Sequence, residues 1–238
     1  MKLVKQGWCW VRRPEGALSV IERAGRVCYR SEERIGEGTA APFVQRLIRQ
    51  GHLSVIEHVT ASVEFTTNRG VTHELVRHRL ASFSQESTRY VNYGGREMEF
   101  IEPVWWASAA QSARERFLAA LAACEAAYRE LLAAGWRPEQ AREVLPHALK
   151  TVIVVTANLR EWRHIFALRT GPRAHPQIRE LLLSCLRGFR EVVPVVFDDL
   201  PLGEDPPAPD ASRSDAPGNA ATAAIGPGNR AGDAGKGS

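Results

Sequence analysis

The sequence predicts one mixed domain of the α/β (α+β) class over residues 1–200, followed by a disordered tail over residues 201–238. Three observations carry that expectation. Val59 to Thr66 alternates apolar and polar side chains, the period of a strand with one face buried. Two long stretches, 108–134 and 176–193, repeat their apolar residues every three or four positions, the period of an amphipathic helix. From Gly203 to Ser238, Ile225 is the only large apolar residue in a segment dominated by Pro, Gly, Ala, Ser and Asp. Such a segment buries too little surface to offset the entropy of ordering.

The amino terminus, MKLVKQGWCWVRRPEG, breaks at arginines and a proline before the apolar core of a signal peptide develops. Nothing reaches the roughly 18 uninterrupted apolar residues of a membrane span, so a soluble, cytoplasmic protein without a membrane partner is expected. Ala17 to Tyr29 carries Leu18, Ile21 and Val27 among polar residues and predicts a helix. Pro42 to Arg49 predicts another, entered through a proline and closed near Gly51. The alternating strand follows. In the long helix Phe117, Leu121, Cys124, Tyr128 and Leu131 recur at spacings of four, three, four and three, and Gly135 and Pro138 stop and restart the chain. In the last helix Ile178, Leu181, Leu182, Cys185, Leu186, Phe189, Val192 and Val193 form one stripe that ends at Pro194. Both stripes are expected to build a core. No internal repeat is visible.

At 238 residues, 44% hydrophobic and 24% charged, the chain can bury a sizeable core. Cys9, Cys28, Cys124 and Cys185 form no CxxC pair or zinc spacing, and reduced, mostly buried thiols are expected. The net charge is +4, and four of the 31 basic residues are lysine, the rest arginine. Guanidinium groups fit phosphates and carboxylates in a fixed fork. Charge alone does not separate a nucleic-acid partner from a phosphorylated small molecule or from compositional bias.

Polar residues that a plain surface does not require concentrate at 52–58 (HLSVIEH), 72–90 (THELVRHRLASFSQESTRY) and 158–169 (NLREWRHIFALR), which hold five of the seven histidines. His73-Glu74 invites a zinc-protease comparison, but the next histidine, His78, lies five residues on where one helical face needs four, so no metal is expected. No cysteine lies in these clusters, which argues against a thiolate nucleophile. Without a GxGxxG or GxxxxGK[ST] loop, any nucleotide must be held by side chains. Arg77, His78 and Arg79, followed by Ser82, Ser84, Gln85, Ser87 and Arg89, gather cations and hydroxyls that suit a bound polyanion. A solvated basic loop is the plainer alternative. Leu75, Val76, Leu80 and Phe83 weigh against it by suggesting that the segment leans on a core. Arg160 and His164 share one helical face, while Leu159, Trp162, Phe166 and Arg169 follow another at spacings of three, four and three. Arg169 therefore ends an apolar stripe, where it either pairs with a buried carboxylate or points at an anionic ligand. For His52 and His58 a surface or capping role is the first expectation.

Residues 77–87, RHRLASFSQES, resemble the signature of the flavin-dependent thymidylate synthases: Arg-His-Arg, seven variable residues, then Ser. ERAGRVCY (22–29), HLSVIEH (52–58), Thr88-Arg-Tyr-Val, AREVLP (141–146) and NLREWRHIFALR (158–169) are similar to further elements of that family, in its order, over about residues 10–195. The resemblance implies a central sheet flanked by long helices and a homotetramer whose active sites are shared between subunits. It implies reductive methylation of dUMP to dTMP, with 5,10-methylenetetrahydrofolate as carbon donor and NADPH-reduced FAD as hydride source. The expected protein is thus a methyltransferase of nucleotide biosynthesis with no nucleic-acid partner. By the same resemblance Ser54, Arg77, His78, Arg79, Gln85, Asn158, Leu159, Arg160 and His164 contact FAD. Glu74, Leu75, Val76, Arg77, Gln85, Glu86, Ser87, Thr88, Arg89, Arg142 and Arg169 line the dUMP pocket, with Arg89 and Arg142 as phosphate partners and Arg169 as catalytic activator. The chain departs from the common pattern at Ala174-His-Pro-Gln-Ile-Arg179, where the family often has Ala-Gln-x-Glu-Ile-Arg, and at Glu74, Gln85 and His164, where some members have Gln, Glu and Asn. Two other functions compete: a flavoprotein of the same fold that has lost methyl transfer through His175 and Gln177, and a nucleic-acid binder. The second leaves unexplained why the arginines come with paired hydroxyls, His52 and Asn158 rather than a basic stripe with stacking aromatics.

Overall fold

A computed structural model describes residues 1–203, so from residue 204 on the expected tail lies outside the described residues. The chain begins with β1 (Lys2–Val4), β2 (Gly7–Arg12), α1 (Ala17–Val27) and α2 (Ala40–Arg49). A 3-10 turn at Leu53–His58 leads into β3 (Thr60–Asn68), α3 (Arg69–Leu75), β4 (Ala81–Gln85) and β5 (Glu99–Ile101). Then come α4 (Gln111–Ala133), the short α5 (Pro138–Ala141), β6 (Lys150–Asn158), α6 (Leu159–Arg169) and α7 (Pro176–Val192).

The fold is organised by β3 and β6, which pair antiparallel over their whole length, from Thr60 opposite Asn158 to Asn68 opposite Lys150. Ala61, Val63 and Phe65 face Ala157, Val155 and Ile153 across the ladder, and all six are buried on one face. With β2 and β4 outside them the sheet order is β2-β3-β6-β4, antiparallel throughout, while β1 and β5 form a separate parallel pair.

Helices cover the buried face. Ile21 of α1, Phe43 and Leu47 of α2, Trp162 and Phe166 of α6, and Leu182, Cys185 and Phe189 of α7 join the strand residues in one core. Trp162 anchors it: the indole Nε1 donates to the Ala61 carbonyl at 3.2 Å and the ring stacks on Phe166 at 5.6 Å. Gly188 lets α7 approach β2 closely, because a Cβ there would sit 2.3 Å from the Trp8 ring. A second, smaller core of Tyr93, Met98, Phe100, Leu121, Tyr128, Ala141 and Leu149 joins α4 to the segment after β4.

The mixed class and every predicted helix are present, with shifted ends. α2 begins two residues before Pro42, and α4 is shorter than the predicted 108–134 because Trp106–Ser108 forms a separate 3-10 turn. Only Leu121 and Tyr128 of its stripe are fully buried. Two strands in particular lie beyond what the sequence pattern predicts, and two expectations need correction. β6 is one such strand, because Val-Ile-Val-Val within it breaks visible alternation although burial does alternate along it. Residues 81–85 are the other, an edge strand paired with β6. Val76 and Leu80 are 42% and 76% exposed, so of the four apolar neighbours expected to lean on the core, Leu75 and Phe83 do, joined by Ala81. The four thiols are free, but Cys185 alone is buried, while Cys9 and Cys28 are exposed.

Candidate active site

Two asparagines deliver the site. β3 ends at Asn68 and β6 at Asn158, and each side-chain carbonyl accepts from the backbone N–H three residues on, Val71 and Glu161, at 2.9 Å. Each thus caps the helix that follows without an intervening loop. α3 carries Glu74 near its end, and α6 carries Arg169 as its last residue.

The two ends meet. Arg169 Nη1 donates to Glu74 Oε2 at 2.5 Å, Nη2 to the Glu74 carbonyl at 3.2 Å, and Nε to His78 Nε2 at 3.1 Å. Arg169 therefore pairs with a carboxylate, as one of the two sequence expectations had it, but that carboxylate is 29% exposed rather than buried. His78 is buried, and burial foremost, then the charges of Arg169 and His164, push its pKa down to about 4. The imidazole is neutral at pH 7 and can accept from Arg169. Behind it Glu161, also buried, brings Oε1 to 3.6 Å from His78 Nδ1, and His164 sets its ring edge-on to His78 at 5.6 Å. Glu161 escaped sequence analysis. Its spacing of three from His164 on one helical face is the signal that points to it. His73, outside this group, faces His147 at 5.3 Å, and its pKa is lowered by burial first and then by His147, Arg69 and Arg77.

The expected dUMP segment hangs between the two cores. Gln85 Nε2 donates to the hydroxyls of Thr72 and Thr151 at 3.0 and 3.3 Å. The Tyr93 hydroxyl donates to Glu86 at 2.8 Å, and burial followed by this bond raises the Tyr93 pKa. Arg142 Nη1 donates to the buried Thr88 hydroxyl at 3.4 Å, and the Ser87 hydroxyl accepts from the Arg89 backbone at 3.2 Å. Leu75 is buried in the core, so its side chain offers no ligand contact, and Val76 is exposed.

The expected FAD residues lie around the start of α6. Ser54 is exposed on the 3-10 turn next to Glu57, which pairs with Arg160 at 2.5 Å. The Leu159 side chain is buried and its N–H donates to the Val59 carbonyl at 2.9 Å, so it too presents no free polar group. Arg77 and Arg79 are exposed at the turn before β4, and neither has a carboxylate partner among the described residues. Arg89 likewise has only the Tyr90 ring, at 5.5 Å.

The structure joins Arg169 to Glu74 and His78, and Arg142 to Thr88. The cavity of about 340 Å³ beside Glu74 is lined by Val71, Trp105, Phe117, His147 and His175, and by none of Arg77, Arg79, Arg142 or Arg169. The unusual His175 and Gln177 have work within the chain. His175 Nδ1 accepts from the Gln177 N–H at 3.2 Å, and the buried Gln177 side chain bridges the Val104 N–H at 3.0 Å and the Glu102 carbonyl at 3.3 Å.

A family model described as thymidylate synthase complementing protein matches residues 11–195. The flavin-dependent thymidylate synthase of Mycobacterium avium is 38% identical over 207 residues, covering 80% of this chain and 82% of that protein. The one from Geobacter sulfurreducens is 38% identical over 193 residues, covering 78% and 82%. Among solved structures, the UMP/dUMP methylase PolB from Streptomyces cacaoi bound with 5-Br dUMP superposes with a TM-score of 0.72 at 24% identity, covering 83% of this chain and 95% of that one, which shows a shared fold. No helix among the described residues is long and apolar enough to cross a membrane. The matched span and these relatives together establish that the chain belongs to the thymidylate synthase complementing protein family, the flavin-dependent thymidylate synthases.

Proposed function

We propose that this protein methylates dUMP to dTMP, taking the carbon from 5,10-methylenetetrahydrofolate and the hydride from FAD reduced by NADPH. The observation that carries the proposal is Arg169, a guanidinium at a helix end held from two sides by Glu74 and a neutral His78. The donor set fits FAD: the diphosphate calls for guanidinium and hydroxyl donors free of competing carboxylates, which Arg77, Arg79 and Ser54 offer. Asn158 and His164 stand beside that set, Arg160 would reach it only by sharing its bond to Glu57, His78 would meet the flavin through its ring rather than a free N–H, and Gln85 borders it. Bound and reduced, FAD supplies the hydride.

The chain's own side chains bind and orient the nucleotide. Arg89 and Arg142 hold its phosphate. Gln85 keeps its amide nitrogen on Thr72 and Thr151, which leaves its carbonyl oxygen to accept from the ligand, beside Glu74, Glu86, Ser87 and Thr88. Arg169 stabilises the negative charge that develops on the pyrimidine as its C5 becomes nucleophilic, a preorganised effect of roughly 3–4 kcal/mol. The family resemblance further supports a homotetramer whose active sites are shared between subunits.

Purified protein is expected to show flavin absorption bands that shift when dUMP is added, and to form dTMP and tetrahydrofolate from dUMP, methylenetetrahydrofolate and NADPH. A colourless preparation, or one that forms no dTMP, refutes the proposal.

A further inference from the structure

We infer that Glu161 is a positioning residue for Arg169, acting through His78: its carboxylate holds the His78 proton on Nδ1 and so leaves Nε2 free to accept from the Arg169 Nε–H. The inference rests on the proposed role of Arg169. Its first support is hydrogen-bond arithmetic. Arg169 Nε is only a donor, so the 3.1 Å bond requires an unprotonated His78 Nε2. A neutral imidazole carries one proton, which must then sit on Nδ1.

The second support is the environment of Glu161. Its side chain is 6% exposed, yet among the described residues its carboxylate makes no hydrogen bond, and Oε1 lies 3.6 Å from His78 Nδ1. That separation is longer than a hydrogen bond but close enough for a buried charge to select between two tautomers. A buried carboxylate without other donors directs its field at the one N–H within reach. The tautomer of a functional histidine is commonly fixed by the group behind its far nitrogen.

The same atoms suggest a rival. His78, Glu161 and His164 place one ligand-type atom each within 4.8 Å of the others, as a metal site does. A cation bound at His78 Nδ1 would force the proton to Nε2, where it would oppose the Arg169 Nε–H. The bond seen at Nε2 therefore favours a proton on Nδ1 over a metal.

The test is nitrogen NMR on the flavoprotein with ¹⁵N-labelled histidine, alongside steady-state kinetics. In the unmodified protein His78 is expected to show a single tautomer protonated at Nδ1. Glu161→Ala should mix the tautomers and lower kcat about tenfold or more, the usual cost of losing such an outer partner, with KM for dUMP changed less than about twofold. Glu161→Gln keeps the side chain's shape but removes its charge, so it should mix the tautomers and lower kcat as the Ala variant does. A proton on Nε2 in the unmodified protein overturns the inference whether or not the variants fold. So does an Ala variant that keeps both tautomer and kcat, or stoichiometric Zn²⁺ binding that shifts the His78 and His164 resonances. Because the tautomer is read without turnover, failure of the proposed reaction is distinguishable from failure of this inference.

Discussion

Replacing Arg169 separates what its charge does from what its shape does. The side chain makes three hydrogen bonds at once, to the Glu74 carboxylate, the Glu74 carbonyl and His78 Nε2. Only a planar fork satisfies three acceptors in fixed directions, so Arg169→Lys keeps the charge but releases at least His78. Losing a preorganised donor at developing negative charge costs roughly 3–4 kcal/mol, or about 10²–10³ in kcat. Arg169→Ala should reach that range, with Arg169→Lys falling between it and the parent. Arg169 and Glu74 are 21% and 29% exposed, so losing their pair alone should cost about 1 kcal/mol or less, while the buried His78 Nε2 left without its donor should add about 1–3 kcal/mol. The assay is dTMP formation in a single turnover, with flavin content and urea midpoint measured on the same preparations. An Ala variant that forms dTMP at a near-parental rate with full flavin removes Arg169 from the mechanism.

Acidification should destabilise the fold through His78. Its folded-state pKa of about 4 lies below the ordinary 6.5, so the unfolded chain binds the proton first, and up to about 3 kcal/mol present above pH 6.5 should be lost as the pH falls toward 4. His78→Gln should flatten that part of the urea-midpoint profile, and an equal slope in parent and variant would assign the loss elsewhere. Arg142→Ala, which removes the donor to Thr88 and a proposed phosphate partner, should raise KM for dUMP about tenfold or more with a smaller change in kcat, measured by initial rates. Tyr93→Phe deletes the bond to Glu86 and should lower stability by about 1 kcal/mol in urea denaturation. Gly188→Ala should cost about 1–3 kcal/mol, because its Cβ meets Trp8 at 2.3 Å, and an unchanged midpoint would mean that α7 and β2 separate easily.

The helices were legible because each carries its own apolar stripe. α6 could be read along one stripe: Leu159, Trp162 and Phe166 are buried, and the stripe runs on to Arg169 as its spacing predicts. β6 was not, since Val152 and Val154 are apolar on the less buried face, and a continuous apolar run does not declare its period. β4 was obscured for another reason. Its serines suit both ligand binding and the solvent side of an edge strand, and pairing with β6 is information held by a segment far along the chain. At the site, sequence brought together Arg77 to Arg89 and Asn158 to Arg169 through family resemblance. It could not reveal that Arg169 leans on His78, or that Glu161 stands behind it, because those contacts depend on how α3 and α6 leave the sheet. Nor could it show that Gln177 ties down the backbone at Glu102 and Val104.

The ladder between β3 and β6 works as a ruler. Thr60 sits opposite Asn158 and Asn68 opposite Lys150, so the two capping residues stand at opposite ends of a common length. Deleting one residue from either strand would turn its outward side chains inward and draw the following helix back by about 3.3 Å toward the opposite face of the sheet. That error could not be absorbed locally, because neither junction contains a loop. Length changes should therefore be tolerated between β5 and α4, where a turn intervenes, and rejected wherever a strand passes directly into a helix.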